Sequence, residues 1–313
     1  MRRATPLFLL LAALAVAAPA RAQDAAAPKL VVHVRGISHR PATTVTRVRF
    51  TLNGELTPYV SGQKVVVRLY RGKRKIKARA LTVQPGGTFR LGVKPRQPGR
   101  LKIRVSHRAT PEQATAVARP MLVRVVRSTA SPSSRGPAVR FLQRILLRKH
   151  YAVRVTGRFD ADTSRAVLAF RKLTGRARMP VADRDVFKGL LDGEGDFKVR
   201  YPGDGKHVEG DLTHQVLALI NPGGHVYRIY PTASGAPGTP TVLGRFHVYS
   251  KQPGTNAKGM VYSSYFIRGY AIHGYASVPS YPASHGCMRV PIPDAIAIFK
   301  WLNLGDGVDV YYR

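Results

Sequence analysis

The stretch YAIHGYASVPSYPASHGCMRV, residues 270–290, decides how the chain is read. It holds two His-Gly pairs, His273-Gly274 and His285-Gly286, and the second is followed directly by Cys287, the one cysteine among 313 residues. A thiol becomes a nucleophile only when a base or a positive charge eases loss of its proton, and imidazole supplies either. In an extended Ser284–Cys287 segment, His285 and Cys287 point to one face. His273, on the preceding stretch, reaches Cys287 across a strand pair. Spacing alone leaves the two histidines level as the base. Gly286 leaves the backbone uncovered, so its amide and that of Cys287 are the expected oxyanion donors. Two other readings compete. His273, His285 and Cys287 with one water would suit zinc, but no acidic residue stands near in sequence to support such a site. An inert buried thiol is the other, but the histidines and glycines around it make poor core. No metal or cofactor is expected.

Outward from this stretch the period is two. Val216, Ala218 and Ile220 lead into Asn221-Pro222-Gly223-Gly224, and residues 226–230 lead out, which reads as a hairpin. Further strands are expected over 244–249, around 265–272 and over 308–312. One amphipathic helix is expected over 293–302, with Ile296, Phe299 and Trp301 among its apolar residues. Residues 198–313 thus read as a mostly β domain carrying one helix.

The N-terminal third has the same period and no catalytic constellation. Val48, Phe50 and Leu52 alternate with polar residues, as do Leu101, Ile103 and Val105. Turn signals stand at Asn53-Gly54, Gly62-Gln63, Pro85-Gly86-Gly87 and Gln97-Pro98-Gly99. Such spacing predicts an Ig-like β-sandwich spacer over 29–127. Residues 128–136, rich in Ser, Thr, Pro and Gly, read as a linker. Over 137–195 the period turns helical: Val139, Leu142, Ile145 and Leu146 share one face, and Ala166, Val167 and Phe170 share the next. Asp160 or Asp162 caps the second helix, and a third, near 182–191, ends at Asp192-Gly193. The fold class is therefore multidomain and mainly β: sandwich, small three-helix domain, catalytic β domain.

Arg2-Arg3, the apolar run from Leu7 to Ala18 and Ala20-Arg21-Ala22 read as a signal peptide over 1–22, with a retained membrane anchor as the other reading. The expected location is extracytoplasmic, at the cell wall, with membrane contact only through the leader. The formal net charge of +35 draws polyanions. Export makes nucleic acid an unlikely partner and favours anionic wall polymers.

Residues 137–192 resemble the small three-helix peptidoglycan-binding domain of bacterial wall enzymes, through Val139, Leu142-Gln143, Leu146, Tyr151, Gly157, Phe159, Thr163, Ala166-Val167 and Phe170. The family's Gly-rich turn and tryptophan near the third helix are missing. Residues 200–313 resemble an L,D-transpeptidase catalytic domain of the YkuD type. The resemblance rests on His273-Gly274, on Ser284-His285-Gly286-Cys287-Met288-Arg289, and on Ser234-Gly235 with Pro240 to Phe246 upstream. It implies that Cys287 is the nucleophile and His273 the proton donor and acceptor. His285, Gly286, Ser284, Arg289 and Gly274 would shape the pocket and oxyanion hole. It also implies peptidoglycan stem peptides as substrate and expulsion of D-alanine, with an amine completing the transfer. Water as acceptor would make an L,D-carboxypeptidase; a third reading is a non-catalytic wall-binding protein.

Overall fold

Nine strands open the chain: β1 (Lys29–Arg35), β2 (Thr43–Val45), β3 (Phe50–Thr57), β4 (Lys64–Arg71), β5 (Arg74–Thr82), β6 (Thr88–Val93), β7 (Gly99–His107), β8 (Ala116–Val117) and β9 (Met121–Val126). The computed structural model describes residues 27–35, 37 and 41–313; the leader expected over 1–22 lies outside them. The strands form a three-stranded sheet, β1-β3-β6, facing a larger one, β2-β9-β7-β4-β5. Their inward residues are the alternating apolar set: Phe50, Leu52 and Leu56 from β3, Val65, Val67 and Leu69 from β4, Leu101, Ile103 and Val105 from β7. Asn53-Gly54 is not a turn. It lies inside β3, and a Cβ on Gly54 would sit 2.0 Å from the Phe89 ring, so the glycine makes room for an aromatic on the neighbouring strand.

Residues 128–136 are not a free linker. Ala130 and Ala182 exchange both backbone hydrogen bonds, at 2.8 and 2.9 Å, and the Ser134 carbonyl accepts from Phe159. Three helices follow, α1 (Pro137–Arg148), α2 (Ala161–Leu173) and α3 (Arg184–Asp192). Asp160 caps α2 by accepting from the Thr163 amide at 2.9 Å, a contact worth about 1 kcal/mol. Gly193, at φ 93°, closes α3 in the left-handed conformation.

The rest comprises β10 (His207–Asp211), β11 (Val216–Asn221), β12 (His225–Pro231), β13 (Gly244–His247), β14 (Ser250–Thr255), β15 (Val261–Ile267), β16 (Tyr270–Tyr275), β17 (Met288–Pro291), α4 (Ile292–Trp301) and β18 (Gly307–Tyr311). They form two sheets, β12-β11-β10-β18-β13 and β14-β15-β16-β17. The single strand expected around 265–272 is the bend of a hairpin instead: Arg268, at φ 47°, and Gly269 turn β15 back into β16. In α4 the fully buried apolar residues are Ala295 and Ile298, while Ile296, Phe299 and Trp301 stay half-buried.

β11 is buried on both faces. Leu217 and Leu219 enter the core shared with β16, β17 and α4. Val216, Ala218 and Ile220, with Ile229 of β12, enter the helical core beside Phe170, Phe187 and Leu146. The three helices and the catalytic sheets thus share a strand as common wall.

Candidate active site

β16 and β17 run parallel, with Ile272 opposite Met288 and His273 opposite Arg289. Successive side chains on a strand point to opposite faces. Ile272, Met288 and Val290, each 1% exposed or less, form the core face. His273 and Arg289 take the other face, and Cys287, in the bend that precedes Met288, sets its thiol against the Gly269–Ala271 backbone at the start of β16. Gly274 is on the core face. A Cβ there would lie 2.8 Å from Ala295 Cβ and 3.0 Å from Ile292 Cα. Its expected place in the pocket is therefore corrected: Gly274 lets α4 seat on the sheet.

His273 is buried, and its Nδ1 lies 2.8 Å from the Gly274 carbonyl. A carbonyl only accepts, so Nδ1 carries the proton and Nε2 is the bare, basic nitrogen. Tyr275, two residues on, meets the imidazole edge-on at 5.7 Å. The Arg289 guanidinium lies 4.1 Å from the Tyr275 ring centre and donates to the Ala283 carbonyl at 3.2 Å. Its buried Nε has no hydrogen-bond partner among the described residues.

Burial, with the charge of Arg289 adding, holds His273 below the usual histidine pKa, against the opposing bond to Gly274. Burial pushes the Cys287 thiol up, while the Ala271 amide and the charges of Arg289 and Lys258 pull the other way. The resting pair is therefore neutral thiol and neutral imidazole. Cys287 is half-buried, with Sγ 3.7 Å from the Gly269 carbonyl.

The Ser284–Cys287 segment is a bend, not extended chain. Ser284 Oγ accepts from the Gly286 amide at 3.0 Å and donates to the Cys287 carbonyl at 2.6 Å. Gly286 sits at φ 112° under the Tyr270 ring, whose nearest carbon would be 2.0 Å from a Cβ. Two expectations are corrected by this bend. His285 does not share a face with Cys287 but stands exposed, because the backbone reverses between them. The Gly286 amide is not a free oxyanion donor, because Ser284 Oγ holds it. The three ligands of the competing zinc reading also fail to converge. Among the described residues no group of three or more His, Cys, Asp and Glu side chains is placed to hold a metal.

The upstream Ser-Gly and Pro-Thr pieces turn out to be the bracket of this bend. The Ser234 carbonyl accepts from the Ala283 and Ser284 amides at 2.8 and 2.9 Å, and the Ala236 amide donates to the Ser284 carbonyl at 2.9 Å. Thr239 Oγ1 donates to that same carbonyl at 2.8 Å. Gly235 admits this crossing: a Cβ there would meet the Thr239 carbonyl oxygen at 2.1 Å. Sequence reasoning did not reach Tyr270, Tyr275, Gln215 or the Ala271 amide. Tyr275 was within reach, since it stands two residues after His273 on one strand. Gln215 carried no such signal.

Residues 205–310 match the family model of the YkuD L,D-transpeptidase catalytic domain. Among solved structures, the chain is similar to an L,D-transpeptidase from Xylanimonas cellulosilytica at 32% identity and TM-score 0.54, covering 59% of this chain and 98% of that one. It also matches an L,D-transpeptidase from Stackebrandtia nassauensis at 22% identity and TM-score 0.37, over 58% of this chain and 97% of that one. An L,D-transpeptidase from Mycobacterium smegmatis matches at 11% identity and TM-score 0.30, over 89% and 99%. No curated protein matches. The catalytic-domain match spans the sheets that carry His273 and Cys287, and the Xylanimonas enzyme is covered almost end to end: the chain belongs to the L,D-transpeptidase family and is an acyltransferase.

Proposed function

We propose that Cys287 is the acyl-transfer nucleophile and His273 its base, acting on peptidoglycan stem peptides outside the cytoplasm. One observation supports this reading: the half-exposed Cys287 thiol lies against the Gly269–Ala271 backbone of β16, two residues before the bare Nε2-bearing ring of His273. His273 Nε2 takes the Sγ proton as sulfur attacks the amide carbonyl preceding the terminal D-alanine. With the Gly286 amide held by Ser284, the Cys287 backbone amide serves as the oxyanion donor. Collapse breaks the C–N bond, the imidazolium returns its proton to the leaving D-alanine amine, and a thioester remains on Cys287. An acceptor amine then attacks the thioester, His273 takes the ammonium proton, and Cys287 leaves as thiol. No nucleotide is consumed, since the amide broken drives the amide made. Ser284, Gly286 and Arg289 hold this geometry, and His285 stands at the rim.

A location at the wall follows from the expected leader over 1–22. The sandwich supplies a docking surface for anionic wall polymers. Residues 29–127 hold twenty-three Lys and Arg against two acids, Glu55 and Glu112. A cleft of about 410 Å³ at the mouth between its sheets is rimmed by Arg71, Lys77, Lys94, Arg96 and Arg100. Residues 137–195 keep the wall-binding assignment of the domain they resemble.

The test is to incubate the mature protein with tetrapeptide stems and weigh the products. Cross-linked dimers plus free D-alanine support the reading. Tripeptide alone makes the enzyme an L,D-carboxypeptidase, and unchanged stems overturn the catalytic assignment.

A further inference from the structure

Lys172 lies in the last turn of α2, is 2% exposed, and makes no ion pair with a carboxylate among the described residues. Burying an ammonium costs more than burying a methionine of similar length. Burial, with the charge of Arg178 adding, draws its pKa down to about 7. A group held at such cost against the catalytic sheet calls for a reason in what it touches.

Its Nζ donates to the Thr232 carbonyl at 2.7 Å and to the Gln215 carbonyl at 3.2 Å. Both acceptors are buried, and each begins an arm toward Cys287. On one arm, Gln215 is a non-glycine residue in the left-handed region, at φ 54°. Its side chain donates to Ser234 Oγ at 2.7 Å and accepts from the Ser234 amide at 2.9 Å. Ser234 in turn holds the Ala283 and Ser284 amides, and Ser284 Oγ spans Gly286 and Cys287. On the other arm, Thr232 Oγ1 donates to the Arg289 carbonyl at 2.8 Å, beside the Ala233–Arg289 backbone pair. The two arms reach the chain three residues before Cys287 and two residues after it.

We propose that Lys172 is a positioning residue for the nucleophile: an ammonium delivered by the helical unit ties Gln215 to Thr232 and so sets the bend that presents Cys287. The helical unit is then a working part of the catalytic site, whatever else it binds. Arg178 adds a second tie, donating from the helical unit to the Ser280 carbonyl, on the loop before the nucleophile, at 2.7 Å.

The proposal rests on Cys287 being the nucleophile, so the experiment reads both activity and local structure. Lys172→Met keeps the length and removes the donors. In the folded full-length variant, kcat on tetrapeptide stems is expected to fall about tenfold or more with KM within about threefold, because a misplaced nucleophile loses rate before binding. Hydrogen exchange at the Ala283 and Ser284 amides is expected to rise about tenfold as the arm loosens. Combining Lys172→Met with Gln215→Met should cost little beyond the worse single change, since Lys172→Met already releases the root of the arm that Gln215→Met cuts. A folded Lys172→Met protein with wild-type kcat and wild-type exchange overturns the proposal, as does a double variant whose losses multiply. If Lys172→Met does not fold, Gln215→Met and Thr232→Val each cut one arm and leave the lysine in place; wild-type kcat in both overturns it. A wild-type protein inactive on stems condemns the Cys287 reading instead, and the exchange measurement then decides the clamp alone.

Discussion

The sandwich and the fused helical–catalytic body share a basic bias and treat it in opposite ways. Residues 29–127 hold twenty-three Lys and Arg and two acids; residues 137–313 hold twenty-four and thirteen. In the sandwich the interior holds apolar residues and a few uncharged polar ones such as Gln63 and Gln113, and neither Glu55 nor Glu112 takes part in an ion pair among the described residues. Edge strand β5 shows almost every side chain to solvent, Lys75, Lys77 and Arg79 among them. In the body the charges are internal mortar. Arg165 of α2 meets Asp294 of α4 at 2.9 Å, Arg171 meets Asp183 at 2.5 Å, and Lys172 reaches across to the catalytic sheet. Solvated cations are free to meet an outside polyanion. Buried ones order the groups around them. The difference fits the proposed division of attachment to the first region and chemistry to the second.

The largest expected effect falls in the body. Cys287→Ser should lower D-alanine release by on the order of 10³-fold or more while thermal unfolding stays near wild type. A serine variant with full activity would break the division at its root. Next, His273→Ala should cost about 10²- to 10⁴-fold, the usual span for a lost general base, and His285→Ala far less, because His285 stands exposed. The reverse order in steady-state rates would refute the assignment of His273.

A third expectation concerns pH. The competent resting form is neutral imidazole beside neutral thiol. Burial holds His273 below the usual histidine range and Cys287 above the usual thiol range. Activity is lost on the acid side only as pH falls through the lowered imidazole pKa, and on the alkaline side only above the raised thiol pKa. The profile of kcat/KM should therefore be flat across neutral pH, between those two limbs. An acid limb centred above 6.5 would contradict the buried imidazole. The smallest effect belongs to the sandwich. Changing Lys75, Lys77 and Arg79 together to Gln should leave turnover of soluble stems unchanged and weaken pelleting with purified walls a few-fold. That deficit should fade as salt shortens the screening length below about 8 Å. Lost turnover in this variant would show that the two regions are not separable.

Much of this was legible in the chain. Period-two alternation located the sandwich faces at Phe50, Leu52, Leu101 and Ile103, and Asp160 and Asp162 together announced the start of α2, the cap itself falling to Asp160. Cys287 stood out by chemistry, since a lone thiol beside histidines and glycines has few other uses, whereas His273 and His285 stood level as its base until the family resemblance favoured His273. What escaped was of another kind. Asn53-Gly54 looked like a turn because turn residues and a glycine under an aromatic ring share the same letters. Ser234-Gly235 and the run from Pro240 were visible as pieces, but the work of Ser234 and of Thr239, just before that run, is to bracket Ser284, some fifty residues on. Val216, Ala218 and Ile220 were legible as one face of a strand, yet the partner of that face is the helical core.

By itself the sequence determined the elements and the reactive groups, because periodicity and functional-group chemistry are local properties. Only the tertiary structure decided that His273 is buried on β16 while His285 stands exposed, which glycine amide is already taken, and that a lysine from the helical unit reaches the sheet behind Cys287. Those follow from parallel register between β16 and β17 and from packing across a shared strand, contacts between segments whose spacing along the chain carries no trace of them.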